Sequence, residues 1–418
     1  MRTIFVLLLL PLSLLHAGFF FSSEKKISYV QKVSPMDLTY EKSEALFYLN
    51  DIREAMGMNT LSENTQLRTA AQAHADYLVR NRVASHDENP SLPGFTGKTP
   101  TDRAFKAGYL SSQVLENLST KNKDAKHSVN GLFSAIYHRF AFLDVGIDEV
   151  GVGVAQESKD PENNAFVYLM GNSHINALCR QKPFKGYGRY MYHVCQDESF
   201  RISQKRFDKA RDANKLLNPK VVLYPYDGQE DVPPAFYSEI PDPLPDYEVS
   251  GFPVSVTFND HFFHNVELLS FTLYKDGDKP VHEVRLLNQE NDPNGRFNKY
   301  EFALFPLKRL AYDADYRSEI VYLEKGKKKR LSWRFHTKIP NETMIRITQP
   351  EMTITVEKGK SYLLYIVPID EHDVVEGVTF PEDVYVRFVD NSTLRLKADE
   401  SDSFDIKSKR HTIHVNVE

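Results

Sequence analysis

The spacing of hydrophobic residues changes along this chain, from a helical period to an alternating one. Up to about residue 143, hydrophobic residues recur three or four positions apart, as in Leu46, Leu49 and Ile52, which indicates amphipathic helices. From residue 252 onward they alternate with polar residues in short runs separated by turn signals such as Asp276-Gly277, which predicts strands. Helices first and strands later favour an α+β fold, with helices packed on an antiparallel sheet.

Three helices are predicted in the first part of the chain, over residues 46–56, 67–78 and 129–143. Gly57 stands where a C-terminal glycine cap belongs, and Asn64 is a candidate N-cap for the second helix. Residues 24–40 are polar and are predicted to be a leader to the first helix. Two strands are predicted after the helices, one over 150–154 and one over 166–170.

The length and composition indicate a globular protein of two or three domains. Apolar residues make up 41% and charged residues 26% of the 418 positions, a composition unlike that of a disordered chain. A formal charge of −5 gives no reason to expect nucleic acid as a partner.

The N-terminus has the features of a secretory signal peptide. Arg2 supplies a positive charge, residues 5–15 form an apolar run, and Gly18 follows a candidate cleavage site. The run is too short to span a bilayer, so we predict a signal peptide over residues 1–17 and no transmembrane span in the mature chain. The alternative is a retained anchor, lengthened by residues 19–21. The first interpretation predicts a secreted or periplasmic protein.

Five short motifs follow one another in a fixed order between residues 50 and 153. They are Asn50-x-x-Arg53, Ser85-His86, Glu116-Asn117, His138-Arg139 and Val150-Gly151-Val152-Gly153. Their order resembles the CAP superfamily, the secreted SCP-like domains related to cysteine-rich secretory proteins, and in particular its bacterial branch. The resemblance covers about residues 40–175. It implies a CAP-type α-β-α sandwich in which His86, Glu116 and His138 line a cleft.

The residues of the implied cleft allow two kinds of chemistry. Two imidazoles and a carboxylate could bind a divalent metal such as zinc, or they could form an acid–base pair. The resemblance is incomplete, because Leu132 and Ala135 replace a tryptophan and a second glutamate of fuller family members, and the late strand lacks their histidine and glutamine. Structural roles are the alternative: a backbone cap for His86, a partner of nearby amides for Glu116 and an anchor for His138.

Other conspicuous residues have structural interpretations. His74 lies on an apolar helical stripe and is predicted to be a hydrogen-bonded core residue. Asp102 and Arg103 are predicted to form an ion pair that fixes a loop beside the cleft. The basic run over residues 325–330 is predicted to be an exposed hairpin, with contact to an acidic cell-surface polymer as the alternative.

Cys179 and Cys195 are the only cysteines and are predicted to form a structural disulfide. In an oxidising compartment this bond stabilises a fold by about 3 kcal/mol in the chain-entropy model. A reactive thiol is the alternative, but the sequence shows no basic or helix-terminal setting for one.

Changes in composition divide the chain beyond the signal peptide. We predict a CAP (SCP-like) domain over 40–197, a charged connector over 198–221, an Ig-like β-sandwich over 222–338 and a C-terminal β region over 339–418. The segments YPYDGQEDVP and LSWRFHT, near the two ends of the sandwich, resemble those of bacterial Ig-like domains. A proline cluster between residues 225 and 245 marks the start of this module.

These features favour a non-enzymatic binding role in a secreted or envelope-associated protein. The expected partner is a cell-envelope component such as a wall polymer, a small apolar ligand or a protein. The alternative is a divalent-metal-dependent hydrolase that uses His86, Glu116 and His138.

Overall fold

The computed structural model describes residues 24–28, 33–400 and 402–418. These residues divide into two compact units. The larger unit holds the described residues of Val30–Asn341 and Pro368–Val374, and the smaller holds those of Met1–Tyr29, Glu342–Val367 and Val375–Glu418. The predicted signal peptide lies outside the described residues, and the predicted boundaries at 197, 221 and 338 stay predictions.

The helices lie in the larger unit. Some of them coincide with the segments in which hydrophobic residues recur at helical spacing. They are α1 (Leu38–Ala55), α2 (Thr65–Asn81), α3 (Pro100–Lys106), α4 (Ala125–Ser134), α5 (Ile136–Phe142), α6 (Ser173–Cys179) and α7 (Gln204–Lys215). Gly57 follows the end of α1 with a φ of +72°, as a glycine cap requires. The Asn64 side chain accepts hydrogen bonds from the backbone N–H groups of Gln66 and Leu67, so both predicted caps are confirmed.

The single helix predicted over residues 129–143 is wrong, because the chain breaks at Ala135. This residue has an extended backbone, with a ψ of 117°, and α5 starts anew after it. The Glu239 carboxylate, about a hundred positions away, accepts hydrogen bonds from the backbone N–H groups of Tyr137 and His138. A distant carboxylate therefore caps α5, and the hydrophobic period of the sequence does not contain that information.

A four-stranded sheet lies between two layers of helices. The strands up to residue 203 are β1 (Glu24–Ser28), β2 (Ser62–Glu63), β3 (Val114–Thr120), β4 (Glu149–Glu157), β5 (Asp160–Gly171), β6 (Tyr190–Met191) and β7 (Ile202–Ser203). The sheet has the order β2-β4-β5-β3, and β5 pairs antiparallel with both of its neighbours. Leu67 of α2 shares a core cluster with Val167 on one face, and Leu49 of α1 shares another with Tyr168 on the other face. The α-β-α layering is therefore confirmed.

The alternation of valine and glycine in β4 reflects close packing against α2. A Cβ atom on Gly151 would lie 1.9 Å from the backbone nitrogen of Arg68, and one on Gly153 would lie 2.3 Å from the backbone carbonyl carbon of Ala71. Such distances are impossible for real atoms, so only glycine permits the helix to lie this near to the strand. The intervening valines point to the other face and fill the core there.

A β-sandwich follows in the same compact unit. Its strands are β8 (Val221–Tyr224), β9 (Gln229–Val232), β10 (Ala235–Phe236), β11 (Ser250–Gly251), β12 (Val254–Phe258), β13 (Glu267–Lys275), β14 (Lys279–Pro280), β15 (Val284–Leu287), β16 (Glu301–Pro306), β17 (Asp315–Glu324) and β18 (Lys327–Thr337). The sheets β15-β16-β12-β8 and β14-β13-β17-β18-β9 enclose a core that includes Val256, Phe302 and Trp333. The predicted sandwich is confirmed. Residues 325–330, which are the turn after β17 and the first residues of β18, are exposed and form the end of a hairpin, as predicted.

The core of the sandwich continues into the core of the helical layers. The rings of Phe133, on α4, and Tyr224, on β8, stack with centroids 4.9 Å apart. Arg139 of α5 is fully buried and donates hydrogen bonds to the Pro253 carbonyl at 2.7 Å and to the Ser255 hydroxyl at 3.1 Å. Burial lowers its pKa to about 10, so the guanidinium is still charged at neutral pH.

The smaller unit is also a two-sheet β structure. Its remaining strands are β19 (Thr343–Ile347), β20 (Glu351–Val356), β21 (Ser361–Ile366), β22 (Gly377–Pro381), β23 (Val384–Asp390), β24 (Thr393–Ala398), β25 (Ser403–Lys407) and β26 (Thr412–Val417). The sheets β1-β22-β25-β26-β20 and β19-β21-β24-β23 enclose a separate core. Residues 24–28 were predicted to be part of a leader, which is wrong: they form β1, an antiparallel edge strand beside β22.

Candidate ligand cleft

His86, Glu116 and His138 line one cleft of about 370 Å³. His86 lies in the loop after α2, Glu116 on β3 and His138 on α5. The two imidazole rings lie nearly parallel, with centroids 6.1 Å apart. The structure therefore brings together the three residues that the sequence singled out, although they are far apart along the chain.

Two side chains, Arg103 and His86, hold the carboxylate of Glu116 through hydrogen bonds. Arg103 donates to both of its carboxylate oxygens, at 2.9 and 2.8 Å, and Nδ1 of His86 lies 3.0 Å from one of them. Burial raises the pKa of Glu116, but the hydrogen bond from His86 and the charge of Arg103 outweigh this and hold the pKa below its usual value. The predicted ion pair of Asp102 with Arg103 is wrong, because Asp102 instead forms a capping box with Thr99.

Two further buried residues, His74 and Glu88, hold the loop that carries His86. His74 is fully buried, with Nδ1 2.9 Å from Glu88 and Nε2 3.0 Å from the Ser85 carbonyl, so the predicted core role is confirmed. Burial raises the pKa of Glu88, but hydrogen bonds from His74 and Thr96 lower it below its usual value. These contacts fix the loop that carries His86.

His138 is held by a residue that the sequence analysis missed. Its Nδ1 lies 2.6 Å from Glu239, which belongs to the proline-rich segment at the start of the β-sandwich. The only sequence signal was the alanine at position 135 in place of the second family glutamate, and this substitution did not point to Glu239. A carboxylate can only accept, so Nδ1 of His86 and Nδ1 of His138 carry the protons, and each Nε2 is left for a ligand.

Comparison with known families decides what the helical part is. The model of the cysteine-rich secretory protein family, CAP, matches residues 46–171. This segment is a CAP domain. The match covers under half of the chain, and it fits the α-β-α layers and the motif order described above. The fold class predicted from the sequence, a CAP-type sandwich followed by a β-sandwich, is confirmed.

Solved structures show similar chains at low identity. An extracellular protein with an SCP domain from Bacillus anthracis is 19% identical over 34% of this chain and 44% of its own length, with a TM-score of 0.28. An outer surface protein of Borrelia burgdorferi is 20% identical over 34% and 98%, with a TM-score of 0.29. Fibronectin(III)-like modules of CbhA from Clostridium thermocellum are 11% identical over 47% and 94%, with a TM-score of 0.17. This chain thus spans less than half of the Bacillus protein, and no curated protein matches it.

The contacts around the CAP cleft bear on the predicted metal site. Among the residues that the structure describes, no group of three or more His, Cys, Asp or Glu side chains is arranged to hold a metal ion. Both oxygens of Glu116 are occupied by Arg103, whose positive charge also opposes a cation at this position. Glu116 therefore does not fit the role of a metal ligand beside His86 and His138.

The β-sandwich contributes a carboxyl group to the wall of the CAP cleft. Glu301, the first residue of β16, lines the cleft near Asp144. Burial, together with the charge of Asp144, raises the pKa of Glu301 to about 8, against a hydrogen bond from the Asn298 backbone N–H at 2.9 Å. At neutral pH this carboxyl is mostly protonated, so it can donate a hydrogen bond into the cleft.

We expect Glu301→Gln to remove a pH dependence of stability. The pKa of Glu301 is higher in the folded protein than in the unfolded chain, so its contribution is fully present below about pH 4.5 and is lost as the pH rises through about 8. Relative to the variant, the wild-type protein should therefore lose thermal stability between about pH 6 and pH 9. Melting curves at both pH values test this, with the exposed Glu267→Gln as the control. Parallel pH profiles for wild type and Glu301→Gln would contradict the assignment.

The two cysteines lie just beyond the CAP domain and form the predicted disulfide. The Cα atoms of Cys179 and Cys195 are 5.5 Å apart, inside the range of such bonds. Cys179 is the last residue of α6 and Cys195 lies between β6 and β7, so the bond closes a loop that contains β6. No helix in the described part of the chain is both long and apolar enough to cross a membrane.

Proposed function

We propose that this protein is a non-enzymatic binding protein of the cell envelope, and that its CAP cleft binds an uncharged segment of a wall polymer. The observation that carries the proposal is the pair of histidines, His86 and His138, each oriented by a buried carboxylate through Nδ1. Rings fixed in this way present Nε2 in a set direction, which suits recognition of hydroxyl groups.

The cleft offers hydrogen-bonding groups, and most of the acids around it are paired or protonated. Glu116 is paired with Arg103, Glu239 is paired with His138, and Glu301 is mostly protonated at neutral pH. Asp144 is the exception, although burial raises its pKa. Apolar side chains line the rest of the wall, among them Leu115, Phe140, Ile240 and Pro241. A cavity of about 370 Å³ lies within the range of about 300–1,000 Å³ typical of small-ligand sites, and sugar rings combine the polar edges and apolar faces that this lining needs.

The envelope location is supported by two independent features. The predicted signal peptide directs the chain to the secretory route, and the bond between Cys179 and Cys195 suits an oxidising compartment. The CAP family is described as secretory in its name, which agrees with the same location.

Calorimetric titration of the mature protein with short, uncharged wall-polysaccharide fragments tests the cleft. Because losing a hydrogen bond between neutral groups costs about 0.5–1.5 kcal/mol, His86→Ala and His138→Ala should each weaken binding by about two- to tenfold. His174→Ala is the matched control, since His174 is half-exposed and lies outside the cleft.

Two results would overturn the proposal. The first is binding that neither cleft variant weakens beyond the His174→Ala control, which would place the ligand elsewhere. The second is stoichiometric Zn²⁺ binding in the wild-type protein that His86→Ala and His138→Ala abolish, together with hydrolysis of the fragments. Melting curves of all variants separate a loss of binding from a loss of folding.

A further inference from the structure

A segment just beyond the CAP domain concentrates positive charge. Residues 180–206, which we call the basic loop, have a formal charge of +5, whereas the whole chain carries −5. Its cationic residues are Arg180, Lys182, Lys185, Arg189, Arg201, Lys205 and Arg206. All of them except the half-buried Arg201 are exposed. A local excess of positive charge of this size attracts anions even on a protein whose net charge is negative.

The exposed cations of the basic loop are not neutralised by neighbours. Within the described residues, none of them forms an ion pair or a side-chain hydrogen bond. The two acids of the loop have other partners: Asp197 accepts from Ser199, and Glu198 lies 3.7 Å from His193. By contrast, Arg211, farther along α7, pairs with Asp208 and Asp212 of the same helix. The charge of the basic loop is therefore available to a partner.

The basic loop is held in a defined shape. The disulfide Cys179–Cys195 ties its first part to α6, and β6 pairs with β7. Ser112 donates from its hydroxyl to the His193 carbonyl at 2.8 Å, which joins the loop to the CAP domain. Ile202 and Phe207 pack in a small core under it. A surface ordered before binding loses less entropy when a partner binds.

Exposed tyrosines lie among these cations. Tyr187 is fully exposed, and Tyr190 and Tyr192 are more than a third exposed, with ring centroids 5.1 Å apart. The Arg201 guanidinium lies 3.9 Å from the centroid of Tyr190, an ordered cation–π contact. Tyrosine offers an apolar ring face together with a polar hydroxyl, and this combination fits sugar rings.

We propose that the basic loop binds an anionic linear polysaccharide, one that carries phosphate or sulfate groups, at a site separate from the CAP cleft. Lys and Arg side chains spread along the loop match charges repeated along a chain, and Arg binds phosphate or sulfate oxygens through paired N–H groups. The tyrosines contact the sugar rings between these charges. This site uses no residue of the cleft, so its test is independent of the function proposed above.

A polysaccharide fits the composition of the loop better than a membrane or a nucleic acid does. Proteins that lie on membranes insert Trp, Phe or Leu, whereas Phe184 is half-buried and the exposed rings of the loop are tyrosines. The predicted secretory route keeps the loop away from intracellular nucleic acid. The chemistry shared by sulfated and phosphorylated glycans is a repeated anion on a sugar or polyol chain.

Binding of the full mature protein to immobilised heparin and to a linear glycosyl-phosphate polymer, in which sugar rings alternate with phosphate groups, tests the proposal. At about 0.15 M salt, Lys182→Gln/Lys185→Gln/Arg189→Gln should weaken binding to at least one polymer by tenfold or more, and Tyr187→Ala should weaken it about threefold. The matched control is Lys327→Gln/Lys328→Gln/Lys329→Gln, which removes the same charge from the exposed β17–β18 hairpin and should change affinity less than twofold.

The two polymers identify the anionic group, because preference for heparin indicates sulfate and preference for the glycosyl-phosphate polymer indicates phosphate. Equal losses in the loop variant and the hairpin control would overturn the proposal, since net charge alone would then explain binding. So would the absence of binding to both polymers. Tighter loop-dependent binding to phosphatidylglycerol vesicles or to duplex DNA would also overturn it, in favour of a membrane or nucleic-acid site. Unchanged melting temperatures confirm that the variants are folded.

Discussion

Arg103→Met should destabilise the CAP domain by about 3–5 kcal/mol, because it leaves the buried Glu116 carboxylate without its cation. Neither side chain of this pair has more than 1% of its surface exposed, so water cannot replace the lost partner. The distance between the charged groups is 2.8 Å, and Arg103 also donates to the His86 carbonyl, which orders the cleft loop. Urea unfolding measures the change.

Arg68→Met is the matched control for this prediction. Arg68 pairs with Glu63 at 3.0 Å, but both side chains are close to half-exposed, and exposed pairs contribute about 0–1 kcal/mol. Adding Glu116→Gln to Arg103→Met should recover part of the lost stability, since it removes the unpaired charge. A loss in Arg103→Met no larger than that in Arg68→Met would show that the pair is not buried in solution.

Arg139→Met should destabilise the larger unit by roughly 2–6 kcal/mol, because it leaves two buried carbonyls without a donor at about 1–3 kcal/mol each. These carbonyls belong to Phe133, in the CAP domain, and to Pro253, in the β-sandwich. The variant also removes the cation from the face of Tyr224, whose ring centroid lies 4.8 Å away. The arginine therefore joins the two parts of the unit.

The reporter for this experiment is Trp333, the only tryptophan, which is buried in β18 of the sandwich. If the CAP domain and the sandwich unfold together, Arg139→Met will lower the midpoints of Trp333 fluorescence and of helical circular dichroism by the same amount. Arg211→Met, on the exposed side of α7, should leave both midpoints nearly unchanged. A shift in helical dichroism without a shift in fluorescence would mean that the two cores are energetically separate.

Much of the fold could be predicted from local sequence. The stripe over residues 67–78, capped by Asn64, predicted α2 nearly to its ends, and alternating residues predicted the strands of the sandwich. The order of five short motifs identified the CAP domain and the three residues that the structure gathers in its cleft. These signals suffice because helix caps, periodicity and turn glycines act over a few residues.

Tertiary contacts decided what the sequence pattern could not. Ala135 sits inside a continuous helical stripe, yet the chain breaks there because Glu239, from the sandwich, caps the new helix. Glu301 likewise joins the cleft only because β16 packs near Asp144. Asp102 and Arg103 are neighbours in sequence, but Arg103 turns to Glu116 because both become buried together.

The sequence by itself determined three helical stripes, the alternating strands of the sandwich, the CAP resemblance over about residues 40–175 and the pairing of Cys179 with Cys195. The tertiary structure alone decided which carboxylates hold the cleft histidines and that the CAP and sandwich cores are continuous. The physical reason is the distance along the chain between the residues that interact. Periodicity and capping depend on residues within a turn or two, whereas ion pairing and pKa shifts depend on burial, which only the packing of distant segments creates.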